Sequence, residues 1–166
     1  MGLIKKIFTF PFRLNEKHKT NKYLKSITLS QIDSLNGYDF EEYIATLFES
    51  CGFKCDKTPK SKDNGVDIIA TKNNIKIAIQ TKLYYNRKVG NKAIQEVYTG
   101  SKFHNCNIPM VVTNSFFSEP AKTVGASLNV VLFDRNVLEK VINSNSNDKK
   151  YMFDNIIYNY LIKPQK

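Results

Sequence analysis

The chain has 166 residues, a length that suits one domain with a real hydrophobic core. Apolar residues make up 42% and charged residues 24% of it, which excludes a wholly disordered or fibrous protein. Lys and Arg outnumber Asp and Glu by 25 to 15, and the net charge of +10 indicates an anionic partner such as nucleic acid or a membrane surface.

The first part of the chain is basic and partly apolar. Residues 1–26 hold seven Lys or Arg and one Glu, interspersed with apolar side chains. We interpret residues 1–27 as an extension that docks on the domain or stays mobile, and contact with a membrane surface is the less favoured alternative. No apolar run in the chain approaches the ~18 residues that a membrane-spanning helix needs.

The three cysteines, Cys51, Cys55 and Cys106, lack the spacing of a zinc site or of a disulfide framework. We therefore expect free thiols in a reducing compartment, the cytoplasm.

Helical and strand patterns alternate along the chain. In YDFEEYIATLFESCGF, apolar residues recur at helical spacing between Asn36, a capping residue, and Gly52, a stop. Three segments rich in β-branched residues follow, and KNN between the last two predicts a hairpin turn. The predicted strands are FKCDKT, GVDIIATK, IKIAIQTKL, PMVVTN and VVLFD, and the later helices cover 92–103, a segment opened by Ser118, Glu119 and Pro120, and 137–142.

This order predicts an α/β sandwich whose mixed central sheet is antiparallel in its early strands, parallel in its late strands and flanked by helices. We assign the domain to residues 28–143. The segment NSNSNDKK has the composition of a linker, so residues 144–166 are predicted to be a polar linker and a C-terminal helix.

Three carboxylates lie inside a basic stretch, residues 54–92, that holds ten Lys or Arg. Because side chains alternate along a strand, Gln80 and Lys82 share one face, and Asp67 on the preceding strand can lie across from them. A carboxylate at the start of a buried strand costs free energy unless it binds a partner, and a divalent cation would be a suitable partner. Lys82 would then hold or activate an attacking water.

The first helix can contribute a further carboxylate to this place. At ~100° per residue, Glu41 borders the apolar stripe of the helix, whereas Glu42 faces water. Mg²⁺ prefers oxygen ligands. The predicted ligands are Glu41, Asp67, the side-chain oxygen of Gln80 and the carbonyl oxygen of Thr81.

The loop after the third strand mixes basic and aromatic residues. Such a loop can bind phosphates and stack on bases, and a solvated charged loop is an equally good interpretation. Glu96, at the start of the next helix, is interpreted as a surface residue. The predicted contacts to nucleic acid are Tyr84, Tyr85, Arg87, Lys88, Lys92 and Gln95.

Four blocks in order, GYDFEEYIATLFESCGF, DNGVDIIA, IAIQTKLYYNRKVG and VVTNSFFSEPAKTVGA, resemble the Mrr-type restriction endonuclease domain of the PD-(D/E)xK nuclease superfamily. The resemblance covers about residues 36–142 and implies a restriction-endonuclease-like sandwich. Gln80 stands where an acid is commoner in the superfamily, but QxK is characteristic of Mrr-like members. The active-site residues that the resemblance implies fall on Glu41, Asp67, Gln80 and Lys82.

The resemblance also implies a DNA endonuclease that hydrolyses phosphodiester bonds with Mg²⁺, for which Mn²⁺ can substitute. The metal would activate water and stabilise the charge of the transition state. Cleavage of both strands would favour a homodimer, and a protein partner could supply specificity. The alternative is a DNA-binding module with little or no catalysis that acts with a partner, because Gln80 is neutral.

Overall fold

One five-stranded sheet forms the centre of the protein. The computed structural model describes residues 27–59 and 64–162, so the predicted extension at residues 1–27 lies outside the described residues except for Ile27. In chain order the strands are β1 (Lys54–Lys57), β2 (Ile68–Lys72), β3 (Ile75–Lys82), β4 (Ile108–Thr113) and β5 (Val131–Phe133). The first three pair antiparallel and the last three pair parallel, which confirms the predicted mixed sheet.

Helices flank the sheet on both faces. A short helix near the start of the described region was not among those predicted, although Thr28 and Gln31 form a capping box that marks its first turn. The helices in the described ranges are α1 (Leu29–Asp33), α2 (Gly37–Ser50), α3 (Asn91–Phe103), α4 (Glu119–Ser127), α5 (Arg135–Asn143) and α6 (Ser146–Ile162).

The hairpin between β2 and β3 sets the register of the sheet. Asn73 and Asn74 adopt φ angles of 48° and 63°, in the left-handed region that asparagine tolerates in tight hairpin turns. The strands pair outward from this turn until Ile68 lies opposite Ile79. A slip of one residue would turn every side chain to the other face of the sheet, so this turn decides which residues meet beyond Ile68.

A hydrophobic core lies on each face of the sheet. One core lies against α2, α5 and α6, where the Phe153 ring is 4.5 Å from that of Phe48 and stacks at an angle of 15° on Phe133. The other core lies under α3 and α4, and the sheet contributes Ala78 and Val111 to it. Because side chains alternate along each strand, the strands contribute residues to both cores.

The polar segment predicted to be a linker is mostly helical. α6 begins at Ser146, so only residues 144–145 connect it to α5. The side chain of Asn145 accepts hydrogen bonds from the backbone N–H groups of Asn147 and Asp148, both at 3.0 Å. Linkers and helix caps use the same residue types, which is why composition alone gave the wrong assignment here.

The turn at Asn64 and Gly65 fits closely against α3. A Cβ added at Gly65, whose φ is +82°, would lie 2.7 Å from the Cβ of Glu96. A Cβ added at Gly100 would lie 2.4 Å from the carbonyl oxygen of Asn64 and 2.6 Å from a methyl group of Val66. The two glycines thus allow the helix to lie directly on the segment that leads into β2.

A charged network joins α1, the end of β4 and α5. The Arg135 guanidinium donates to both carboxylate oxygens of Asp33, at 2.7 and 2.8 Å, and to the carbonyl oxygen of Asn114 at 2.7 Å. The Asn114 amide donates to Asp33 at 2.9 Å. Hydrogen bonds from Arg135 first, and from Asn114, hold the pKa of the Asp33 carboxyl below its ordinary value against the opposing effect of burial.

The three cysteines are free thiols. Burial raises the pKa of Cys51 and of Cys106, and burial together with Glu49 and Asp56 raises that of Cys55 to about 12. Within the described ranges, no helix has both the length and the apolar character to cross a membrane.

Replacing Gly100 with Ala should destabilise the protein by about 1–3 kcal/mol, because the added methyl group collides with Asn64 and Val66. Urea unfolding measures the change. Gly37→Ala is the matched control, since no atom lies within 4 Å of the added carbon, and it should be neutral or slightly stabilising. Equal stability of the Gly100 variant and the wild type would show that the turn does not depend on this fit.

Replacing Asp33 with Asn should lower stability at pH 7 and have little effect in acid. A lowered pKa means that the ionised carboxylate stabilises the fold above the unfolded-state pKa of about 3.9, and that this stabilisation is lost as the pH falls through the lower folded-state pKa. Urea unfolding at a series of pH values measures the difference between variant and wild type. Asp56→Asn, at an exposed carboxylate paired with Lys54, should change little at pH 7, and a constant difference for Asp33→Asn at every pH would contradict the expectation.

Candidate active site

Asp67 lies where the pairing of β2 with β3 ends. The last registered pair is Ile68 with Ile79, and the N–H of Asp67 donates to the carbonyl oxygen of Ile79 at 2.8 Å. The register of the two strands ends at Ile68 and Ile79, so Asp67 stands just before β2 and Gln80 directly follows Ile79 on β3. The structure thus brings the backbone of Asp67 to β3 at the carbonyl group that precedes Gln80.

The carboxylate of Asp67 is fixed by Thr81. Its Oδ2 accepts from the backbone N–H of Thr81 at 2.6 Å and from the Thr81 hydroxyl at 2.9 Å. The Asp67 backbone is also bonded on its other side, because its carbonyl oxygen accepts from the N–H of Thr58 at 3.1 Å. These bonds orient the carboxylate, just before the first residue of β2, without any ligand.

The side chain of Gln80 is buried, with 3% of its surface exposed. Its Nε2 donates to Glu96 Oε2 at 3.1 Å. Its Oε1 is fully buried and accepts no hydrogen bond from residues 27–59 or 64–162. A buried amide oxygen without a donor costs roughly 1–3 kcal/mol, so this atom is suited to a cation. The donor set beside Asp67 therefore fits a hard divalent metal ion.

Glu96 contacts both Gln80 and Lys82 while 35% of its side chain stays exposed, so its interpretation as a surface residue missed these contacts. Its Oε2 lies 3.8 Å from Lys82 Nζ, and its Oε1 lies 3.7 Å from Lys92 Nζ. Helical spacing contained the missed signal, because Glu96 directly precedes Val97 and follows Ala93 by three positions, and both of these residues are buried. Its carboxylate thus borders the buried face of α3 and reaches the side chains of β3.

The two adjacent glutamates of α2 share one lysine. Lys57 Nζ lies 3.6 Å from Glu41 Oε2 and forms an ion pair with Glu42. Glu42 is 6% exposed, so the prediction that it faces water is wrong. β1 covers this side of the helix, and Lys57, which also lies 4.0 Å from the Tyr38 ring centroid, supplies the positive charge that a buried carboxylate needs.

Glu41 is half-buried and lies 3.6 Å from Lys57. Asp67 is bonded to Thr81, and the residues on either side of Thr81, Gln80 and Lys82, both contact Glu96. We call these five residues, Asp67, Gln80, Thr81, Lys82 and Glu96, the Asp67–Gln80 cluster. No group of three or more His, Cys, Asp or Glu side chains suited to a metal ion occurs in the part of the chain that the structure describes. A metal at this place would therefore depend on the neutral oxygen atoms of Gln80 and Thr81 beside the carboxylates.

The basic loop after β3 is fastened to the segment that follows β4. The Tyr84 N–H donates to the Asn114 side chain at 2.8 Å, and the Asn114 amide donates back to the Tyr84 carbonyl at 3.1 Å. At the other end of the loop, the Val89 N–H donates to the carbonyl oxygen of Phe116 at 2.8 Å. These contacts hold the loop next to Lys82.

Most residues predicted to contact nucleic acid are exposed, either on this loop or in the first turns of α3. Tyr85 is 80% exposed, and Lys92 has 88% of its side chain exposed. Tyr84 is half-buried, with the Arg87 guanidinium 3.8 Å from its ring centroid. Lys88 and Gln95 are exposed. The structure thus presents basic and aromatic side chains on a surface next to the Asp67–Gln80 cluster.

The fold is similar to that of solved structures at low sequence identity. The structure of AF1548, a protein of unknown function, is 24% identical with a TM-score of 0.52, and the match covers 60% of this chain and 58% of that chain. The DNA modification-dependent restriction endonuclease AspBHI is 18% identical with a TM-score of 0.57, with 85% and 40% covered. The MspJI restriction endonuclease, in complex with a 27-mer oligonucleotide, is 17% identical with a TM-score of 0.53, with 89% and 36% covered.

These matches show the restriction-endonuclease-like fold, and they span from 36% to 58% of the length of the three proteins. None of the curated proteins compared with the chain matches it.

The sequence itself matches the family model Mrr_cat, described as restriction endonuclease, over residues 32–142. The matched range contains the whole sheet, the Asp67–Gln80 cluster and the basic loop. The chain therefore belongs to the Mrr_cat restriction endonuclease family.

Proposed function

We propose that the protein is a DNA endonuclease that hydrolyses phosphodiester bonds with the help of a divalent metal ion. The observation that carries the proposal is the buried Oε1 of Gln80, which accepts no hydrogen bond from the described residues and belongs to the residue before Thr81, the partner of the Asp67 carboxylate. Membership of a restriction endonuclease family supports this reading of the cluster.

The metal proposed is Mg²⁺, for which Mn²⁺ can substitute. Mg²⁺ prefers oxygen ligands and keeps several waters, so a site with few carboxylates suits it. When bound, such an ion supplies positive charge at the phosphate and lowers the pKa of water. The residues that would hold it are Asp67, the side-chain oxygen of Gln80, the carbonyl oxygen of Thr81 and Glu41.

Three other residues of the chain would position the groups that act on the phosphate. Thr81 keeps the Asp67 carboxylate in one orientation, so no free energy is spent on ordering it when substrate binds. Lys82 follows Thr81 on β3 and presents an ammonium group 3.8 Å from Glu96, where it would orient a water and offset the negative charge of the phosphate. Lys57 holds Glu41 at the neighbouring helix.

DNA is the proposed substrate because the chain has a net charge of +10 and carries an exposed basic loop beside the cluster. Two proteins of similar fold are restriction endonucleases, one described as dependent on DNA modification and one solved with an oligonucleotide. Methylated and unmethylated DNA therefore belong in every assay. A cytoplasmic homodimer, with a partner protein that supplies specificity, is part of the same proposal.

A second candidate is a DNA-binding module with little or no catalysis. The observation that favours it is the absence, within residues 27–59 and 64–162, of a three-membered cluster of acidic, His or Cys side chains suited to a metal. This candidate predicts salt-dependent DNA binding without metal-dependent turnover.

Replacing Asp67 with Asn, or Lys82 with Ala, should lower cleavage of supercoiled plasmid in Mg²⁺ or Mn²⁺ by at least about a hundredfold. Each substitution removes a charge that acts on the reacting phosphate, and one such interaction is worth about two orders of magnitude in rate. Nicking and linearisation are followed on gels, with EDTA as the metal-free reference.

The control for these variants is Lys122→Ala, which removes an exposed lysine on α4 whose partner is Glu119. It should cut DNA like the wild type. If the Asp67 and Lys82 variants also cut at the wild-type rate, the proposed active site is wrong. If the wild type binds DNA but never cuts it, the second candidate takes its place.

Replacing Arg87 and Lys88 together with Ala should weaken DNA binding and flatten its salt dependence. Each lost phosphate contact reduces the slope of log K against log salt by about 0.9, so the slope should fall by nearly 2. Fluorescence anisotropy in EDTA measures binding without cleavage. A double variant of Lys140 and Lys150, exposed lysines of α5 and α6, is the matched control, and an equal loss in both would show that the loop has no special part in binding.

A further inference from the structure

We propose that Glu96 is a positioning residue that orients the amide of Gln80, and that this acid is the reason why a neutral residue stands at position 80. The inference rests on the proposed metal site and names a residue that contributes to it through another side chain. Glu96 Oε2 lies 3.1 Å from Gln80 Nε2, and this contact joins α3 to β3.

The chemistry of the two groups fixes the direction of the amide. A carboxylate can only accept hydrogen bonds, whereas an amide has a donor end and an acceptor end. Gln80 must therefore turn its NH₂ group toward Glu96, and its Oε1 then points away from Glu96, with no donor among the residues that the structure describes. With 3% of Gln80 exposed, water does not compete for either end.

Glu96 is itself held in place from several sides. Lys82 lies 3.8 Å from one carboxylate oxygen and Lys92 lies 3.7 Å from the other. Its backbone is covered by the turn at Gly65, where an added Cβ would lie 2.9 Å from the Glu96 carbonyl carbon. The turn that leads the chain into Asp67 thus rests on the residue that orients Gln80.

This arrangement explains the neutral side chain at position 80. A glutamate there would bring a second carboxylate within about 3 Å of Glu96, and two like charges so close cannot both stay ionised without a large cost. Gln80 presents an oxygen on one side and a donor on the other. The negative charge of the pair lies on Glu96, one contact away from the oxygen that would bind the metal.

The first test measures Mn²⁺ binding by calorimetry on the metal-free protein, with plasmid cleavage as a second readout. Glu96→Ala should raise the dissociation constant for Mn²⁺ by about 10–100-fold, the usual cost of removing a group that orients a metal ligand. Glu96→Gln keeps an oxygen that can accept from Gln80 and should restore most of the affinity. Glu119→Ala, at an exposed helix glutamate paired with Lys122, should bind Mn²⁺ like the wild type.

The second test measures urea unfolding in EDTA, where no metal contributes. Gln80→Glu alone should shift the unfolding midpoint to lower urea, because it faces Glu96 with another carboxylate. Adding Glu96→Gln to it reverses the donor and the acceptor of the same hydrogen bond, so the double variant should recover most of the lost stability.

Wild-type affinity for Mn²⁺ in Glu96→Ala would overturn the positioning role, and so would a loss in Glu96→Gln as large as that in Glu96→Ala. A double variant no more stable than Gln80→Glu would overturn the explanation of position 80. A wild type that neither binds Mn²⁺ nor cuts DNA would instead refute the proposed function and the metal part of this inference. The unfolding experiment in EDTA would still decide whether Gln80 and Glu96 are paired.

Discussion

The hydrogen bonds between Thr81 and the carboxylate of Asp67 hold together the part of the molecule on which the site depends. The backbone of Asp67 pairs with Ile79 on one side and with Thr58 on the other, so its residue links the strands on both sides of β2. Its side-chain carboxylate then accepts a hydrogen bond from the N–H of Thr81. In a continuing strand ladder, a backbone carbonyl would accept from that N–H instead. A single residue thus ends the strand pairing and presents a carboxylate, which ties the chemistry of this place to the integrity of the sheet.

The features that the sequence predicted well depend on short-range rules. The hairpin follows from KNN between two β-branched segments, and α2 follows from helical spacing between Asn36 and Gly52. The shared face of Gln80 and Lys82, both of which contact Glu96, follows from the period of two along a strand. In each case, the deciding information lies within a few residues along the chain.

The features that were missed depend on contacts between distant elements. Helical angle alone placed Glu42 toward water, but β1 covers that side of α2 and brings Lys57 to it. Glu96 was assigned to the surface because its partner, Gln80, lies on another element. The first residue of α6 could not be predicted from the sequence, because capping residues such as Asn145 are also typical of linkers. Sequence patterns report the residue types but not which element comes to cover them.

The stacking of Phe153 on Phe133 and against Phe48 bears on how the chain reaches its native state during synthesis. Phe48 lies on α2, and the ring that completes its surroundings lies on α6, which is made later, so the aromatic core stays open to solvent until α6 has left the ribosome. Contacts of such long sequence separation close late and slowly. The emerging chain therefore exposes this apolar surface from the synthesis of α2 until that of α6, which makes it a natural client for chaperones.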